Sequence, residues 1–529
     1  MFSSFFDPQE NLLGEVEDLK LQVTLEKEKN KLLSDEVNWL KEQLRSLKRN
    51  QFGKKSERWE TPEQAVMFNE AEVESKKPDP SSESEEDLES ESESSQVKGH
   101  TRKARGHRRP LPEGLTREIV KLELPIEEQV SDAGEKLKVI GWEISEKLKY
   151  EPAKVSVVQY HRAKYGVDSG DYVKTTPPLP SLIPQGIATP ELLTAIIIRK
   201  YADGLPLYRM QDIFLREGID LTRGTMARWV VKVGMACRPL FNILADRWSE
   251  SDYVGIDETH TQVLKENGRK AESKSWMIVR SIPYGPKKVV LFDYSTSRST
   301  DTMKEFFADY KGFVQSDALS SYDFLNKRTE DVVHVGCNMH GRRRFEGAAV
   351  DGAKSGQSLG AKGVELYKKI YDLEELIKEK PCDERYQVRL EIAKPIFEEL
   401  KDWSTQQNVK VPKKSKIGDA FAYFLSNYNE LTAYLRDGRL NPDNGFTERA
   451  IRKFAIGRNN WMFADTEAGA EASAIIYSLV VTAKVNGVNS YEALAKILTQ
   501  LPMAKTIEDF ERLTELLLTP EPKPANQTI

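Results

Sequence analysis

The chain has 529 residues, enough for three or four units and at least one large core. It is 39% hydrophobic and 30% charged, the balance of a globular protein with a solvated part. Its longest apolar runs, such as IIYSLVV at 475–481, fall far short of the roughly 20 residues a membrane span needs, so a membrane partner is not expected. The N-terminus, MFSSFFDPQE, has no basic stretch or cleavage site of a signal peptide. Three widely spaced cysteines (Cys237, Cys337 and Cys382) argue for a reducing compartment and against disulfides. A cytoplasmic location is the expectation. The net charge of −5 speaks against nucleic acid at first. Yet residues 54–95 hold fourteen acids and five bases, so the rest of the chain is about +4.

In chain order, Leu12, Val16, Leu19, Val23, Glu26, Asn30, Leu33, Val37, Leu40, Leu44 and Leu47 alternate steps of four and three. This is a heptad seam. β-branched a positions, Leu at most d positions and one Asn at a favour a parallel dimer, so 1–58 is expected to be a coiled-coil dimerisation helix. A helix packed on the protein's own core is the alternative. Residues 59–110 read as a linker. Its acidic tract, SSESEEDLESESESS, has too few apolar residues to fold. It gives way to KGHTRKARGHRR, with six Lys/Arg and no acid. Arg102, Lys103, Arg105, Arg108 and Arg109 are candidate phosphate contacts there, unless the run merely pairs with the acidic tract.

Residues 111–175 form a small region of mixed character, ended by the Pro-rich PPLPSLIPQG. Across 186–250, a helix from TPELL is followed by a second helix, a turn at Gly218 and a third helix capped by Thr222. That is helix-turn-helix spacing, with Arg223 and Arg228 as candidate DNA contacts. A plain αα-hairpin has the same pattern. After Asp252 the period changes. YVGIDETHTQVL, SKSWMIVRSI and KKVVLFDYS read as three strands. Then come a helix at TDTMKEFFADY, the strand GFVQSD, a helix near SSYDFL and the strand DVVHVG. A meander followed by α/β alternation is the order of an RNase H-like core, expected over 251–337 and 438–485. Residues 338–437 read as a helical insertion, and 486–529 as C-terminal helices and a tail. The fold class expected is multidomain α and α/β.

Asp257 ends the first of these strands and Asp317 the fourth. In an RNase H-like sheet these strands are neighbours, so the two carboxylates would meet. A third acid from a later helix would complete a cluster that repels itself unless a cation neutralises it. Oxygen ligands without His or Cys select Mg²⁺ or Mn²⁺, and two such ions suit phosphoryl transfer. Glu258 should point to the opposite side of the strand and is left out. In NPDNGFTER, Asp443 and Glu448 are equal candidates for the third acid.

The chain resembles the transposases of insertion sequence family 66, which are DDE-type bacterial enzymes. The resemblance runs from FGKKSER at 52–58 through KYADGLPLYR at 200–209, DET at 257–259 and GFVQSDALSSY at 312–322. It continues in VGCNMHGRRRF at 335–345, DNGFTERAIRKFAIGRNNW at 443–461 and SLVVTAKVNGV at 478–488. It implies a catalytic and metal-binding triad of Asp257, Asp317 and Glu448. It also implies hydrolysis at transposon ends, followed by attack of the freed 3′ hydroxyl on target DNA. The expected partners are double-stranded DNA (ends and target), a second copy of the chain or more, and accessory proteins of the same element. Two other readings remain: a DNA-binding regulator that no longer transposes, and an RNase H-like nuclease or resolvase.

Three departures stand out. The family's cysteine pairs before the helix-turn-helix are replaced by VSDAG at 130–134 and YGVDSGDY at 165–172; DNN becomes DNG, and DGY becomes DAL. The spacing C-x₂-H in Cys337 and His340 has no second pair, so zinc is not expected. Arg342, Arg343, Arg449, Arg452 and Arg458 are candidate DNA contacts. Arg344 belongs to the same basic run, and Trp461 either stacks on a base or packs in the core.

Overall fold

The computed structural model describes residues 26–27, 37, 155–166, 173–184, 186–317, 319–328, 331–352 and 358–520. The chain divides into two units, Lys54–Gln159 and the remainder, and every element named below belongs to the remainder. The coiled coil, the acidic and basic linker with Arg102, Lys103, Arg105, Arg108 and Arg109, and most of the small mixed region lie outside the described residues; Glu26, Lys27 and Val37 are helical. At the end of that region, β1 (Lys164–Gly166) pairs antiparallel with β2 (Val173–Thr175) across the cysteine-free stretch.

Helix α1 (Pro190–Tyr201) starts where Thr189 accepts the Leu192 N–H and Pro190 needs no donor of its own. Leu193, Ile196, Ile197 and Tyr201 recur at helical spacing and are buried. Helix α2 (Leu207–Arg216) ends at Gly218, whose φ of +81° suits a residue without a side chain. Helix α3 (Arg223–Ala236) is N-capped by Thr222. Helix α4 (Arg238–Glu250) leads into the sheet. Buried side chains of α1 to α4 share one hydrophobic core with the sheet.

The sheet is built from β3 (Tyr253–Lys265), β4 (Lys274–Ile282), β5 (Val289–Ser295), β6 (Gly312–Ser316), β7 (Val332–Gly336) and β8 (Ala464–Thr466). The spatial order is β5-β4-β3-β6-β7, with β8 pairing the far end of β3. The first three strands form an antiparallel meander, while β6 and β7 run parallel to β3. The crossover from β5 to β6 contains α5 (Thr300–Phe306). The helix expected near SSYDFL is instead two single 3₁₀ turns, Ser320–Tyr322 and Leu325–Lys327. Short tight turns of this kind are common connectors where the chain must reverse direction.

An uncovered β5 would expose unpaired backbone groups. Helix α13 (Glu467–Val485) meets them with polar side chains instead of a further strand. The Ser478 hydroxyl accepts the Phe292 N–H (2.8 Å), Thr482 accepts from Val290 N and donates to Val290 O (both 3.0 Å), and Asn486 accepts from Lys288 N (2.9 Å). The spacing works because four helical residues rise about 6 Å and two strand residues about 6.7 Å. This helix is long and apolar enough to cross a membrane by composition, but it is largely buried in the protein core.

Between β7 and the DNG motif lie α6 (Asn338–Gly352), α7 (Leu359–Ile377), α8 (Cys382–Val388), a π-helical turn (Arg389–Ala393), α9 (Lys394–Asn408), α10 (Lys416–Ser426) and α11 (Tyr428–Thr432). They enclose a second core around Phe345, Tyr367, Phe397, Phe421 and Phe424. Arg389 is fully buried there. It pairs with Glu374 through two bonds (2.9 and 2.7 Å) and donates to Asp437 O and Leu440 O. That charge pair ties the helices to the segment returning to the sheet. Gln315 of β6 then donates to Asn441 O (2.8 Å), and Tyr253 of β3 donates to Gln315 (2.6 Å). The returning chain is thereby held across β3 and β6 just before helix α12 (Gly445–Trp461).

Candidate active site

The pairing of β3 with β6 aligns Tyr253, Val254 and Gly255 with Phe313, Val314 and Gln315. Two residues further along stand Asp257 and Asp317, at the same level. Asp317 follows the end of β6 as expected, but Asp257 does not end its strand, because β3 continues to Lys265 on its pairing with β4 after its pairing with β6 has stopped. Both carboxyls sit in a poorly solvated setting. Burial, then the charges of Asp317, Glu258 and Glu448, hold Asp257 well above the usual carboxylate range; the N–H of Glu258 pulls the other way. Asp317 is pushed up to about 7, first by burial and then by Glu258, against the Leu319 N–H and Arg298; Glu448 adds to the rise. Mutual repulsion at this density is the condition that a divalent cation relieves.

Glu448 arrives in the first turn of α12. That helix lies against β3 over the stretch where β3 has left β6 and not yet met β8, whose pairing begins at Val263. There α12 satisfies carbonyls that a strand would otherwise take. Asn444 donates to Ile256 O (2.9 Å), and Arg458 donates to His260 O and to Thr259 Oγ1 (3.2 Å). Asp443 is a turn residue: its Oδ1 accepts the Gly445 N–H (2.9 Å) and its Oδ2 accepts from Tyr371 (3.0 Å).

The approach of α12 to β3 requires Gly255. A Cβ there would meet Thr447 Oγ1, and would lie 2.7 Å from Ser281 Oγ and 3.0 Å from Asn444 Oδ1. Thr447 and Ser281 are themselves hydrogen-bonded at 2.8 Å. Gly255→Ala is therefore expected to destabilise the protein by about 1–3 kcal/mol through overpacking, read as a lowered melting temperature. An unchanged melt would mean that α12 does not sit this close to β3.

Four groups border the carboxylates in a way the sequence did not anticipate. Glu258, left out because alternation should turn it away from Asp257, is not remote from the aspartates. It is almost fully buried, accepts from Tyr322 Oη (2.7 Å), faces Arg298 (3.3 Å), and raises the pKa of both aspartates. Cys337 donates to Glu448 Oε1 (3.5 Å), and His340 Nδ1 lies 3.9 Å from the same oxygen. Tyr322, Cys337 and His340 all stand in conspicuous motifs, but no spacing links those motifs to residues 258 or 448.

The candidate DNA contacts fall into two groups. Arg223, Arg228 and Arg449 have exposed side chains. Arg343 turns toward Glu448 (3.9 Å), Arg342 pairs with Glu346 (2.8 Å), Arg344 with Asp419 (2.5 Å), and Arg458 is spent on β3. Arg452 is exposed on the outer side of α12 and has partners of its own. Trp461 is half-buried, with Lys200 Nζ 3.6 Å from its ring centroid and Tyr201 edge-on at 6.3 Å.

Comparison with known proteins adds an independent line. The profile described as "Transposase IS66 family" matches residues 185–472, "IS66 C-terminal element" matches 478–514, and "Transposase C of IS166 homeodomain" matches 39–120. Among curated relatives, uncharacterized protein y4qI of Sinorhizobium fredii is 30% identical over 89% of this chain and 87% of its own. Uncharacterized protein y4hP of the same organism is 26% identical over 77% and 76%. The first profile alone covers more than half of the chain, including every residue from α1 to the start of α13; the chain belongs to the IS66 family of transposases.

Proposed function

We propose that this transposase binds the terminal inverted repeats of an insertion sequence and cuts and joins DNA by DDE chemistry, on an RNase H-like core. Asp257, Asp317 and Glu448 are the ligands of two divalent cations, Mg²⁺ or Mn²⁺. The observation that carries the reading is the level placement of Asp257 and Asp317 on adjacent parallel strands. With it goes the charge of Glu448, felt by both aspartates although 130 residues separate it from Asp317. The donor set fits hard cations: carboxylate oxygens, crowded and partly desolvated. When bound, two such ions activate an attacking hydroxyl and stabilise the leaving oxygen. The chain's own part is to hold three carboxylates in fixed relation. Asn444 and Arg458 do this by seating α12 on β3, and Thr447 by its bond to Ser281 of β4. The exposed Arg223, Arg228 and Arg449 are suited to phosphate contacts that position DNA. The N-terminal seam dimerises the protein.

The test uses the full chain with DNA carrying the flanking repeats, in Mg²⁺ and in Ca²⁺. Binding is expected in both and cutting only in Mg²⁺. Equal cutting of DNA without the repeats would favour the nuclease reading, and binding without cutting in either metal would favour the regulator.

A further inference from the structure

Cys337 and His340 supply two soft ligands, and sequence spacing offers no third. The fold brings one from α12. Cys337 Sγ, a ring nitrogen of His340 and a Glu448 carboxylate oxygen all lie within 4.8 Å of one another. Two of these separations are 3.5 and 3.9 Å, each to Glu448 Oε1. A tetrahedral ion with bonds of about 2.0–2.3 Å holds its ligands roughly 3.3–3.8 Å apart, so modest side-chain rotation closes the set. His340 Nδ1 is shielded from solvent and has no hydrogen-bond partner. Cys337 is fixed at the end of β7, and Asn338 anchors the start of α6 through bonds to Leu431 O (2.8 Å) and Pro442 O (3.0 Å). Arg343 lies 3.9 Å from the other oxygen of Glu448.

We infer that Cys337, His340 and Glu448 form a site for a soft divalent cation, Zn²⁺ or its surrogate Co²⁺, with one coordination position left to water. Thiolate and imidazole select such an ion over Mg²⁺. Because Glu448 is shared, an ion held there withdraws this carboxylate from the hard-cation site and inhibits cleavage. That consequence rests on the reading of Glu448 as third catalytic acid; the metal site itself does not.

The experiment is titration of the metal-free full chain with Co²⁺, without DNA. A saturable tetrahedral spectrum with a thiolate-to-cobalt charge-transfer band is expected at one equivalent. Cys337→Ser should abolish the band, and His340→Gln, at a partly exposed position, should weaken binding by about tenfold or more. A thermal melt of each variant separates lost ligation from lost fold. Absence of the band, or its persistence in Cys337→Ser, overturns the site. A chain that binds Co²⁺ in this way but never cuts DNA leaves the site standing and removes only the inhibition. A chain that cuts DNA but shows no band overturns the site and its inhibition, and leaves the catalytic reading of Glu448 standing.

Discussion

Asp257→Asn, Asp317→Asn and Glu448→Gln are each expected to lower strand cleavage by about 10³-fold or more while leaving end binding nearly unchanged. The size follows from the nature of the ligands. Each carboxylate supplies formal charge to cations on which the displacement depends, and an amide of the same shape supplies none. The native fold should tolerate all three changes. Burial and the neighbouring carboxylates disfavour the ionised forms of Asp257 and Asp317, so a neutral amide at either position relieves repulsion instead of creating it. Glu448 makes few bonds that an amide would break; the seating of α12 depends on Asn444, Thr447 and Arg458 instead. Loss of activity should thus come without loss of folded protein, which is the mark of a catalytic group. Cleavage of labelled end DNA and a thermal melt of each variant are the two measurements. Normal cleavage by any one variant would strike that residue from the triad.

The same crowding makes stability depend on pH and on metal. Asp317 moves from an ordinary 3.8 to about 7 on folding. Between those values the native state holds a proton that the unfolded chain has released, so stability falls as pH rises through the window. At about 1.36 kcal/mol per pKa unit, the shift sets a ceiling of roughly 4 kcal/mol on the loss at pH above 7. Buried His334, lowered to about 4, slopes the opposite way below its ordinary 6.5, because there the unfolded chain binds the extra proton. Comparing wild type with Asp317→Asn at each pH cancels that contribution. In metal-free melts from about pH 5 to about pH 8, Asp317→Asn should gain on wild type as pH rises, by about 2–4 °C for each kcal/mol. Added Mg²⁺ should then stabilise wild type strongly at the alkaline end and weakly at the acid end, where protons compete for the carboxylates. A metal-free difference that does not vary with pH, together with no effect of Mg²⁺, would show that the carboxylates do not crowd one another.

Much of this was legible in the sequence where the signal is local. The runs VGI before Asp257 and GFVQS before Asp317 mark strands, since a buried strand reads as a short apolar stretch whatever it pairs with, but they do not mark that β3 continues past Asp257 to Lys265. Thr189, Thr222 and Gly218 mark helix boundaries because capping and a left-handed turn are properties of a few adjacent residues. The polar positions 478, 482 and 486 were visible too, but their role was not. Only the placement of α13 alongside β5 turns them into partners for an edge strand. SSYDFL misled because three-residue 3₁₀ turns leave the same side-chain spacing as one turn of α-helix.

The sequence by itself determined most of the strand and helix segments, the two aspartates that follow apolar strand runs and, through its motifs, the family. It left Asp443 and Glu448 equal on spacing alone. Tertiary structure decided their difference in position: the Asp443 carboxylate closes a turn, whereas Glu448 faces Cys337 and His340. It also decided that Glu258 and Tyr322 border the aspartates. The physical reason is one of range. Capping, periodicity and turn chemistry act over a few residues, and any reader of the chain can see them. The site is assembled by a parallel strand pair and by a helix returning after about a hundred residues, and such contacts are set by which surfaces bury one another.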